Sequence, residues 1–70
     1  MPGKDNSPDY VTLANGYLDR FEKLKKQNPL DESGFIYLHY ARKNIAKAEE
    51  NDVHAGEPKL RLQRFYSKYV

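Results

Sequence analysis

Acid–base or nucleophilic chemistry in this chain would have to come from two histidines, His39 and His54, and three serines, Ser7, Ser33 and Ser67, because its 70 residues include no cysteine. A histidine that works as a base needs a carboxylate within hydrogen-bond reach to fix its tautomer. On a helix, side chains three or four residues apart are the ones that meet. Around His39 those places hold Phe35, Ile36, Arg42 and Lys43, so His39 reads as a surface or boundary residue. His54 follows Asn51 and Asp52, and a two-ligand Asp52/His54 pair falls short of the ligand set of a zinc site. The serines lie near helix starts or on a polar face, where capping or solvation accounts for them. Glycines at 3, 16, 34 and 56 are too scattered for a phosphate-cradling loop. A chain of this length also has little room to enclose a pocket. The expectation is therefore no enzyme, with no catalytic residue, no metal and no cofactor.

Binding chemistry is better represented. Ile36 and Tyr40 stand four apart, and Lys43 and Lys47 continue their line. Tyrosine suits an interface, since its ring is apolar and its hydroxyl can stay solvated. Leu60, off the main apolar stripe of its segment, is a further candidate anchor. Ile36, Tyr40, Lys43, Lys47 and Leu60 together would suit a protein partner with an acidic surface. The alternative is nucleic acid. Residues 57–70 hold four cations, Lys59, Arg61, Arg64 and Lys68, against Glu57, whereas residues 1–56 hold eight against nine acids. Arg61, Arg64 and Lys68 repeat at steps of three and four, with Lys59, Tyr66 and Tyr69 nearby, a pattern able to contact phosphates. The same stripe also reads as a solvated face, and net charge is only +2. A connector from Asn51 to Gly56 is longer than the turn of a helix-turn-helix.

These groups need elements to hold them, and the periodicity is helical. Ser7, Pro8 and Asp9 read as a helix start, with Ser7 as cap and Pro8 at the first position. Tyr10, Ala14, Tyr17, Phe21 and Leu24 follow at steps of four and three, widened by Val11, Leu13 and Leu18. Gly16 is a liability on the polar side. Lys23, Lys25 and Lys26 complement the negative helix end, and Asn28-Pro29 stops it. Asp31 reads as the second cap, with Leu30 and Phe35 as a hydrophobic staple. Gly34, Leu38, Ala41, Ile45 and Ala48 then share one face, with small residues seven apart that admit a neighbouring helix backbone. Ile36 and Tyr40 lie roughly half a turn from that face, so either the third helix or a partner must cover them. Glu57-Pro58 opens the third helix, whose stripe is Leu62, Phe65, Tyr66 and Tyr69.

The predicted architecture is all-α: a tail over 1–6, then one helical domain over 7–70. Helices over about 8–27 and 31–50 form an antiparallel hairpin, imposed by their short link, and a third over about 58–69 packs across it. Leu, Ile, Val and Phe make up about a fifth of the chain, near the lower edge for globular proteins. Nine aromatic residues offset this. A domain this small buries only about 60% of its unfolded surface, so association is a real option. Homodimerisation through the second helix is one form of it. No apolar run approaches the ~20 residues of a membrane span, and Met1–Pro8 lacks the apolar core of a signal peptide. The expected setting is the cytoplasm, and the expected role is that of a small interaction module, such as a regulator or inhibitor.

Overall fold

Periodic apolar steps of four and three give three helices in the computed structural model, which describes residues 9–69. They are α1 (Tyr10–Gln27), α2 (Phe35–Glu50) and α3 (Gly56–Tyr69). Ring pairs fix the direction of the first two. Phe21 lies 5.7 Å from Phe35, and Tyr17 lies 6.2 Å from Tyr37 and 5.3 Å from Tyr40, so α2 ascends as α1 descends. α3 contacts both helices of this hairpin. The fold is thus the predicted all-α arrangement. Among the described residues no helix is long and apolar enough to cross a membrane.

The core follows the predicted face of α2 residue for residue. Gly34, Leu38, Ala41, Ile45 and Ala48 are all buried, against Ala14, Leu18 and Phe21 of α1. Gly34 shows why small residues stand there. A Cβ at that position would lie 2.7 Å from Leu24 Cδ2 and 3.4 Å from Phe21 Cδ1. Ala55, Pro58 and Leu62 extend the buried set to α3. Phe21 is fully buried and also meets Phe65 and Tyr69 edge-on, at 5.1 and 5.4 Å, joining all three helices.

Helix starts differ from those read in the sequence. Ser7 and Pro8, the expected cap and first residue of α1, lie outside the described residues, as does the expected tail over 1–6. The observed cap is Asp9, whose carboxylate accepts from the Thr12 backbone N–H at 3.1 Å and the Thr12 hydroxyl at 2.8 Å. These bonds hold the Asp9 carboxyl below its ordinary value of 3.8. In α2 the start moves from Asp31 to Phe35. The Asp31 carboxylate accepts from the Ser33 N–H at 2.8 Å, which makes a turn rather than a cap. That bond, the Ser33 hydroxyl and the nearby Lys25 ammonium keep the Asp31 carboxyl low as well. The Asp31 carbonyl, which would open the helical ladder, accepts from Lys25 Nζ at 2.9 Å instead. Phe35 N–H turns to the Glu32 carbonyl at 3.2 Å. The staple fails too, since Leu30 is 94% exposed while Phe35 packs on Phe21. α3 begins two residues early, with Pro58 inside the first turn, where no intrahelical bond is lost.

Lys25 departs furthest from expectation. Instead of a solvated cation near a helix end it is 7% exposed. Its ammonium lies over the rings of Phe35, Tyr69 and Phe21 at 4.7, 5.6 and 5.8 Å, and also reaches the Pro29 carbonyl at 3.4 Å. The stem is buried among apolar groups while the head is met by carbonyls and aromatic faces. One side chain thereby ties the α1–α2 connector to both ends of the bundle's aromatic cluster.

The end of α2 is closed by a Schellman arrangement. Val53 N–H reaches the Ala48 carbonyl at 2.8 Å and Asp52 N–H the Glu49 carbonyl at 3.1 Å. Asp52 takes the left-handed position that glycine usually fills, with φ of 59°.

Two stability predictions follow from these features. Lys25→Ala should cost about 2 kcal/mol, the sum of a charge-assisted bond and the ring contacts, read as a lower urea midpoint with an unchanged slope. Asp52→Gly should add about 1 kcal/mol by relieving the positive φ, raising the melting temperature by roughly 4–8 °C.

Candidate protein-interaction face

The helical hairpin has two long sides, and α3 occupies one of them. On α1 the residues facing α3 are Asn15, Asp19 and Glu22. Arg61 donates to Asn15 Oδ1 at 3.1 Å and to Asp19 Oδ1 at 2.7 Å, and lies 3.8 Å from Glu22. On α2 the matching residue is Glu49, which accepts from Lys59 at 3.1 Å. A basic helix is thus held along an acidic edge.

The other side follows from helical geometry. Leu13, Tyr17, Arg20 and Leu24 repeat at four, three and four, and lie about half a turn round α1 from Asn15, Asp19 and Glu22. Tyr37, Tyr40, Asn44 and Lys47 form the opposing flank of α2, half a turn from Glu49, with Ile36 and Lys43 at its outer rim. Tyr17 joins the two flanks through its rings to Tyr37 and Tyr40, and Arg20 lies over Tyr17 at 5.5 Å. Large apolar surface remains on view here: Leu13 is 40% exposed, Ile36 51% and Tyr40 40%. At one end a shallow depression of about 220 Å³ opens between Arg20, Lys23, Leu24, Gln27 and Tyr37. The charged residues of this side are Arg20, Lys23, Lys43 and Lys47, with Glu50 at the outer rim three residues beyond Lys47; all are exposed, and the cations outnumber the acid.

The sequence-predicted residues therefore separate. Ile36, Tyr40, Lys43 and Lys47 come together on this face, as their spacing requires. Leu60 does not join them. It is 57% exposed on the outer side of α3, where it shares a depression with Gln63, Arg64, Ser67 and Lys68. The basic stripe of α3 is also divided. Arg61 and Lys59 are engaged by Asp19, Glu22 and Glu49, while Arg64 and Lys68 remain on the outer face, Lys68 against the Tyr69 ring at 5.3 Å. Tyr66, expected in the apolar stripe of α3, is 37% exposed at its edge.

Sequence reasoning assigned Tyr17 to the core and Arg20 to nothing. Tyr17 is half-buried and packs against the core as expected, and its remaining surface, with exposed Arg20, also belongs to the open face. The signal was present in the step of four from Leu13 to Tyr17 and of three to Arg20. It was masked because Tyr17 also fits the core stripe.

The two histidines lie apart, on α2 and in the α2–α3 connector. His39 is exposed and tilted against Tyr40 at 5.9 Å. It lines an open cleft of about 540 Å³ with Glu32, Phe35, Leu38, Tyr66 and Tyr69, where α2 begins and α3 ends. His54 is exposed in the α2–α3 connector, with its ring against Gly56. No grouping of three or more metal-ligating side chains occurs among the described residues. Comparison with protein-family models, curated proteins and solved structures returns no match.

Gly16 stands on the rim of the open face, and a Cβ there would meet nothing within 4 Å. Gly16→Ala should therefore raise stability by about 1 kcal/mol through helix propensity alone, measured by thermal or urea unfolding.

Proposed function

We propose that this chain is a non-enzymatic, cytoplasmic protein-interaction module, a small regulator or inhibitor whose partner presents an acidic surface. The partner-binding residues are Ile36, Tyr40, Lys43 and Lys47, joined by Leu13, Tyr17 and Arg20. The observation that carries this reading is the position of α3. It lies against the Asp19/Glu22/Glu49 side of the hairpin and leaves Ile36 and Tyr40 uncovered. Contiguous exposed apolar surface rimmed by polar groups is what interaction sites present, whereas scattered apolar residues need no explanation. Aromatic anchors with cations around them match the composition of interface centres and rims.

The other two readings have less behind them. Binding of nucleic acid through α3 would draw on Arg61 and Lys59, whose charges already meet carboxylates. Homodimerisation with α2 at the two-fold axis would have to use its exposed side, since Leu38, Ala41, Ile45 and Ala48 are buried within the chain. Pairing two copies through the open face would set two predominantly cationic surfaces against each other.

The test uses a photo-cross-linking amino acid placed at position 36 or position 60 and irradiated in the native host. A discrete adduct is expected from position 36 and not from position 60. Tyr40→Ala with Lys47→Glu should abolish it while circular dichroism shows unchanged helicity. Adducts from position 60 alone would move the interface to α3. Loss of helicity in the double variant would make Tyr40 a core residue and remove the proposed surface.

A further inference from the structure

The hairpin already binds one helix, and the way it does so specifies what fits the vacant side. α3 carries Lys59, Arg61, Arg64 and Lys68 against Glu57, and it lies on the edge formed by Asp19, Glu22 and Glu49. Its apolar knobs, Leu62, Phe65 and Tyr69, enter between the two helices from that edge. The opposite edge has the same two-helix geometry with the sign of charge largely reversed, Glu50 at its rim being the exception. Arg20 and Lys23 line α1, Lys43 and Lys47 line α2, and Leu13, Ile36 and Tyr40 stand between or beside them.

The geometry points to an acidic amphipathic helix of the partner as the occupant, lying along the Leu13–Leu24 side of α1 and the Ile36–Lys47 side of α2 as a fourth helix of the bundle. This rests on the protein-interaction reading above and narrows it to one class of partner segment. The length is set by the face: the eleven steps from Leu13 to Leu24 rise about 16 Å, or three turns of helix. Such a segment would present apolar residues at i, i+3 or i+4 and i+7 to the Tyr17/Tyr37/Tyr40 surface, in the manner of helix-in-groove recognition. One of them would seat in the depression between Leu24 and Tyr37, whose lip carries Arg20 and Lys23. Asp and Glu on its two flanks would meet Arg20 and Lys23 on one side and Lys43 and Lys47 on the other. A second copy of this chain is a poor occupant. Its own open face repeats the same cations, and its basic α3 would be repelled by them.

Selection from randomised peptides of about 16 residues displayed on phage tests this, using the intact chain as bait. A parallel selection uses Lys43→Glu with Lys47→Glu, two exposed positions whose reversal leaves the core untouched. The intact chain should enrich peptides with apolar residues at helical spacing and an excess of Asp and Glu. The charge-reversed variant should lose affinity for them by about tenfold or more and enrich basic sequences instead. Binding of an enriched acidic peptide, followed by amide chemical shifts, should perturb Leu13, Tyr17, Ile36 and Tyr40. Enriched peptides without helical spacing or without acidic excess would overturn the inference. So would perturbations centred on Leu60 or on the Phe35/Tyr66 cleft, or enrichment no greater than for the variant. A host adduct at position 36 alongside any of these outcomes would leave the interaction face standing and remove the acidic helix alone.

Discussion

Close approach between α1 and α2 is the constraint on which the rest of this fold depends. Gly34, Ala41 and Ala48 offer almost no side chain along the seam, and Leu18 and Phe21 are buried in one cluster with Leu38 and Ile45. A methyl group at Gly34 would meet the tip of the Leu24 side chain, which would have to shift. In a domain with so few aliphatic residues, this small-against-large packing lets a handful of side chains fill the interior without voids. Phe21 then supplies the surface on which α3 lands, through Phe65 and Tyr69. Without the hairpin seam there would be no buried Phe21 and no site for the third helix.

Lys25 adds a polar lock to that apolar seam. Its ammonium replaces hydration with the Asp31 and Pro29 carbonyls and three aromatic faces, a combination that meets the demand of a buried cation without a carboxylate. The lock acts at the point where α1 ends and α2 has yet to begin. By taking the Asp31 carbonyl it delays the second helix until Phe35, which brings the Phe35 ring onto Phe21 and Lys25. The connector is therefore shaped by a tertiary contact more than by its own turn residues.

The distribution of charge gives the hairpin two unlike sides. Carboxylates on Asp19, Glu22 and Glu49 face the basic third helix, and cations on Arg20, Lys23, Lys43 and Lys47 face outward from the other edge. Each exposed pair contributes little to stability, and the pairs add to the apolar contacts of Leu62, Phe65 and Tyr69 on the side where α3 docks. Docking on the acidic side satisfies two of its cations and leaves the aromatic flank of Tyr17, Tyr37 and Tyr40 open. The one docking of α3 thus both completes the core and leaves the other edge exposed.

Helical class, the hairpin and the buried face of α2 were all present in the sequence, because periodicity and short links act locally and leave few alternatives. The grouping of Ile36, Tyr40, Lys43 and Lys47 was legible for the same reason, since residues on one helix keep their relative positions wherever it packs. What the sequence could not decide was which neighbour each face meets. The side chosen by α3, the separation of Leu60 from Ile36, the engagement of Arg61 by Asp19 and the burial of Lys25 all depend on contacts between residues distant in the chain. Helix starts fell in the same class: Asp31 has every local property of a cap, yet Lys25 claims its carbonyl. Local pattern determined the elements and their faces, and long-range competition for the same groups determined which faces are spent on the core and which remain exposed.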